Sequence, residues 1–88
     1  MIQHFKIWAT KQLARFNGLI TESNESVRID IDTEKSVARI TLWEGGSYVA
    51  EVIDIETEEN IYLISGEIIS SNGIENEFAE FIKVLSKN

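Results

Sequence analysis

Five carboxylates fall between Glu51 and Asn60, at Glu51, Asp54, Glu56, Glu58 and Glu59, with no base among them. Three chemistries are open to carboxylates at this density. Two of them across a cleft act as acid and base on a glycosidic bond. Several on one loop hold a divalent cation. A row of them sets a negative field against a cationic partner. The first needs a sugar cleft, for which 88 residues leave little room. The second fails on spacing. Read as calcium loops, the stretches from Asp30 and from Asp54 place Lys35 and Glu59 at the sixth-position glycine, and Thr41 and Ser65 at the twelfth-position glutamate. No metal and no other cofactor is therefore expected. The third use stays open, and Asp30, Asp32 and Glu34 extend the same charge to an earlier stretch.

Nucleophilic chemistry has little to work with. The chain has one histidine, His4, and no cysteine. It carries no nucleophile elbow, phosphate loop or dinucleotide fingerprint. His4 falls in a first helical turn, where an ordinary surface role explains it. The expectation is a binding protein rather than an enzyme.

Charge narrows the partner. The net charge is −7 and the isoelectric point about 4.6. Residues 1–18 hold three bases and no acid, while residues 19–88 hold five bases and fifteen acids. Such a surface repels phosphates, so direct nucleic-acid binding is not expected. It suits a basic partner, although plain solubility also accounts for acidity. No apolar run nears the ~20 residues of a membrane span. Lys6, Lys11 and Arg15 interrupt any signal-peptide core. The apolar face of this N-terminal segment is explained by packing, so no membrane partner is expected and the location is read as cytoplasmic.

These side chains need elements to position them. Ile2, Phe5, Trp8 or Ala9, Leu13 and Phe16 recur at helical spacing, and Asn17-Gly18 reads as the stop, followed by a polar loop. Val27, Ile29 and Ile31 alternate with Arg28, Asp30 and Asp32 as a strand. A four-residue turn, Asp32–Lys35, would pair Ile31 with Ser36, Ile29 with Ala38 and Val27 with Ile40. Gly45-Gly46 makes the next turn. The third strand spans Ser47 to Glu56. Its inward set is either Val49, Glu51, Ile53 and Ile55 or Tyr48, Ala50 and Val52, according to the length of that turn. The fourth, Ile61–Ile69, is almost continuously apolar and so expected to be central or covered on both sides, with Gly66 marking a bulge. A closing helix has Asn72 as its N-cap and Ile74, Phe78, Phe81, Ile82 and Leu85 as its stripe. The fold expected is α+β: one domain over residues 1–88, a two-layer sandwich of helix, four-stranded antiparallel meander and helix, with the helices on one face of the sheet.

By strand parity Trp43 lies on the face away from the core, and Tyr48 follows across the glycine turn. Either the two are anchors for a partner, or they pair and shield the hairpin. The candidate partner-binding set is Trp43, Tyr48, Glu51, Asp54, Glu56, Glu58, Glu59, Asp30 and Asp32.

The helix bearing "IWATKQL", the alternating "VRIDID", the run "ARITLWEGGSYVAEVIDIETEENIYLISGEI" and the closing amphipathic helix together resemble the TriTu-type immunity proteins. Those accompany bacterial polymorphic toxins, contact-dependent growth inhibition systems included. The similarity covers nearly the full length and is strongest from Trp43 through Gly45, Gly46 and Ser47 into the acidic strand. It implies a cytoplasmic antidote that binds a cognate toxin domain and blocks its active site or substrate path. No binding residue is carried over from it. The toxin domain is expected to be basic, and a nuclease fits, because nucleases need a cationic groove for phosphates. The alternative is a small adaptor or self-assembling module working through a sheet edge, against which the charges of the third strand argue. The oligomeric state stays open, with a monomer favoured.

Overall fold

Residues 1–70 and 73–87 are described in the computed structural model. The order is α1 (Ile2–Leu13), β1 (Asn17–Glu22), β2 (Ser26–Asp32), β3 (Ser36–Trp43), β4 (Ser47–Asp54), β5 (Asn60–Glu67), α2 (Ile74–Glu77) and α3 (Ala79–Lys87). All neighbours pair antiparallel, in the order β1-β2-β3-β4-β5. The α+β class is as expected. The sheet, however, is five-stranded and open rather than four-stranded, and its helical cover comes in three pieces rather than two.

The extra strand is β1. "NGLITE" follows α1 directly, and its residues pair with β2 from Asn17↔Asp32 to Glu22↔Val27. Only Leu19 and Ile20 in it are apolar, so no alternating pattern announces it; backbone bonds to β2 place it, with Ile20 packed against the core. The β2–β3 hairpin keeps the expected face but slips by two residues. Ile31 pairs with Ala38, Ile29 with Ile40 and Val27 with Leu42. The turn is tighter than Asp32–Lys35. Thr33 N–H donates to Ser36 O at 2.8 Å, leaving Glu34 and Lys35 at its tip. A slip of two preserves side-chain parity, which is why the inward set survives.

The next turn fixes β4. Leu42 pairs with Tyr48, so the loop between Trp43 and Ser47 has three residues. Gly46 closes it at φ 99, donating its N–H to Trp43 O. That backbone shape belongs to glycine, and a Cβ there would stand 2.5 Å from Ile68 O. Tyr48, Ala50 and Val52 therefore face inward and are buried with Val27, Ile29, Ile31, Ala38, Ile40 and Leu42.

Onto this face pack Phe5, Trp8 and Ala9 of α1, Ile74 of α2, Phe78, and Phe81 and Leu85 of α3, all buried. The closing helix is broken at Phe78, whose φ −99, ψ 9 ends α2. Its ring sits 5.8, 5.3 and 4.9 Å from those of Phe5, Trp8 and Tyr48 and joins both helical ends to the sheet. Asn72, the expected cap, lies outside the described residues.

β5 departs most from expectation. It is neither central nor covered on both sides but the last strand of the sheet, with its residues mostly exposed. The bulge lies not at Gly66 but where the pairing shifts between Val52 and Ile53. Gly66 pairs regularly with Tyr48, and a Cβ there would meet the Tyr48 hydroxyl at 3.2 Å. Its role is to let the tyrosine pass.

Candidate functional site

The acidic residues gather by topology. The β2–β3 and β4–β5 turns lie side by side, for Ser36 pairs with Asp54 and Ile55 N–H donates to Lys35 O at 2.9 Å. Asp32, Glu34, Asp54, Glu56, Glu58 and Glu59 thus share one end of the sheet. Within it Asp54 serves the backbone, since one of its carboxylate oxygens accepts the N–H groups of Glu56 and Thr57 at 2.9 and 3.1 Å. This is the short polar side chain mimicking a backbone turn. Glu58 takes φ 61, with its N–H bonded to Asp54 O at 2.8 Å. Glu56, Glu58 and Glu59 are left exposed on a fixed turn, and none of them enters an ion pair among the described residues. The expected set therefore divides here: Asp54 builds the turn and the glutamates are presented by it.

Asp30 and Glu51 sit differently. Asp30 accepts from Arg28 Nε at 2.9 Å and Arg39 Nε at 2.7 Å, and Arg39 stands opposite Glu51 across the β3–β4 pair. The Arg39 guanidinium is held above its ordinary pKa, chiefly by the Asp30 hydrogen bond and then by the Asp30 charge. Asp30, Arg39 and Glu51, with Val37, Ala38 and Ile53, line a shallow cavity of about 150 Å³ on the uncovered face. Their charges are balanced where they stand. The net field of the molecule comes from the turns instead.

The aromatic pair separates. Trp43 is 41% exposed on the uncovered face, as its parity predicts. Tyr48 is 3% exposed and points into the core, because the three-residue loop puts it on the opposite face from Trp43. It does not shield Trp43, and its ring lies inside the core. Its hydroxyl donates to the Glu77 carboxylate, and burial, followed by this bond, pushes the phenol well above its ordinary range. Trp43 is also remote from the acidic turn. The two close opposite ends of β4, whose eight residues at ~3.3 Å each set them about 25 Å apart. Neighbours in sequence, they do not form one patch.

What sequence reasoning missed is the apolar edge. Ile55, Ile61, Leu63, Ile64 and Ile69, at 39–95% exposure, are five of the nine exposed large hydrophobics among the described residues. Ile61, Leu63 and Ile64 lie in β5 and Ile69 just after it, while Ile55 lies in the turn that leads to it. The signal is present as a continuous apolar run, but by pattern such a run reads as a buried strand. His4 is exposed at the start of α1. Among the described residues, no group of three His, Cys, Asp or Glu is placed to hold a metal ion, and no helix is long and apolar enough to cross a membrane.

The chain matches the family model described as Immunity protein TriTu over residues 3–84, and it belongs to that family. No curated protein matches it.

Proposed function

We propose that this member of the TriTu immunity family is a non-catalytic antidote. It binds a cognate bacterial toxin domain and masks the active site or the path by which substrate reaches it. The observation that carries the reading is the turn holding Glu56, Glu58 and Glu59. Three exposed carboxylates stand on a backbone fixed by Asp54, without cationic partners among the described residues. Like charges this close repel unless something outside the chain balances them. Glu34 of the adjoining turn and Asp32 beside it widen the field, which Lys35 at the same tip offsets by one charge. A basic groove shaped for phosphates is the matching surface, which favours a nuclease as the toxin. The carboxylates set the encounter rate and partner choice, while apolar contacts slow dissociation.

Co-expression tests this. The toxin domain encoded immediately upstream of this gene should arrest growth when expressed alone. It should become harmless, and co-purify at one-to-one stoichiometry, when expressed with this chain. Growth arrest that persists despite soluble antidote contradicts the reading.

A further inference from the structure

We infer that the outer edge of β5 receives an extended strand of the toxin domain as a sixth strand of the sheet. This deepens the antidote reading and rests on it. β5 ends the sheet, and no described residue forms a strand beyond it. An edge strand offers a row of backbone N–H and C=O groups, and proteins usually blunt such an edge with lysine, proline or a cover. Asn60–Glu67 contains no Lys, Arg or Pro. Its side chains are apolar on both faces instead, with Leu63 at 57%, Ile64 at 43% and Ile61 at 39% exposure. The other edge, β1, also lacks Lys, Arg and Pro, but only Leu19 and Ile20 in it are apolar, and α1 ties it down through Lys6 Nζ to Glu22 Oε1 at 3.0 Å.

Charge selects the occupant. Glu58 and Glu59 precede β5 and Glu67 ends it, so acid flanks the apolar stretch at both ends. A second copy pairing symmetrically and antiparallel would set Glu67 opposite Asn60, beside Glu59, and crowd like charges twice. A strand with apolar residues in its middle and Lys or Arg at its ends meets no such conflict. Backbone pairing would supply affinity and the flanking bases orientation. The edge also runs directly out of the acidic turn, so a basic toxin domain engaged there is already positioned to pair with β5.

The test is residue-level amide exchange on the intact chain, alone and with a catalytically inactivated form of the toxin domain encoded upstream. The expected result is slower exchange, by about tenfold or more, at the β5 amides that do not bond to β4. Leu63→Lys should weaken binding about tenfold or more, while Leu19→Lys on β1 leaves it within about twofold. Because the exchange experiment uses the unmutated chain, it does not depend on the variants folding. A complex without protection at β5 overturns this inference and leaves the antidote reading standing. β5 protection already present in the chain alone and rising with its concentration assigns the edge to a second copy and overturns it too. Absence of any complex removes both.

Discussion

The two edges of this sheet solve one problem in opposite ways. β1 carries few apolar residues and is tied to α1 by an ion pair and by packing. β5 is apolar on both faces. Beneath it, Tyr62 meets Phe81 of α3 edge to face, with ring centroids 6.2 Å apart. A small domain has little apolar surface to spare, so leaving isoleucine and leucine on an edge works against its stability. The contrast teaches that acidity and hydrophobicity are kept adjacent but separate: the turn before β5 holds the charge, and β5 itself holds the apolar contact.

The largest test of the contrast is Phe81→Ala. It removes the ring under β5 and opens a cavity in the core, and should destabilise the fold by ~3–5 kcal/mol in chemical denaturation. If the contrast holds, β5 amides lose exchange protection before β1 amides do. Gly46→Ala comes next. It forces a Cβ onto Ile68 O in a left-handed backbone and loosens the exit from β5, where Ile68 N–H bonds Gly46 O at 2.8 Å. A loss of ~1–3 kcal/mol is expected. Gly45→Ala, where a Cβ meets nothing within 4 Å, should be near neutral by the same assay.

Tyr48→Phe acts through pH. The folded phenol titrates above its ordinary value, so its contribution is fully present below the unfolded pKa near 10 and is lost as pH rises toward the folded one. Wild-type stability should therefore fall above about pH 10, and the variant should show a flatter decline on that side. At neutral pH the variant loses the bond to Glu77, at a cost of about 1 kcal/mol. The smallest effect belongs to the other edge: Lys6→Ala breaks a partly exposed ion pair and should cost no more than ~1 kcal/mol in melting experiments.

Much of this architecture is legible in residue patterns. The alternation of Val27, Ile29 and Ile31 places β2, and the stripe Ile74, Phe78, Phe81, Leu85 places the closing helices. Parity alone puts Trp43 outside. Position within the sheet is harder to read. A continuous apolar run reports what a strand would bury, not whether neighbours cover it, so β5 is mistaken for a central strand. β1 is hidden for the converse reason, since its pairing uses backbone groups common to every sequence. The candidate site suffers from contiguity: Trp43 and Glu56 are close in the chain, yet β4 carries them to opposite ends. Asp54 and Glu56 look alike as carboxylates until the turn shows one accepting backbone hydrogens and the other facing solvent.

The central claim is that the acidic turn is a binding surface. It is tested most directly by titrating the inactivated toxin domain with this chain at about 0.05 M and about 0.5 M salt, where screening lengths differ several-fold. The chain as it stands should bind about tenfold or more weakly at the higher salt. The triple variant Glu56→Gln, Glu58→Gln, Glu59→Gln should bind more weakly at low salt and lose most of that dependence. An unchanged affinity and an unchanged salt dependence in the triple variant would contradict the claim.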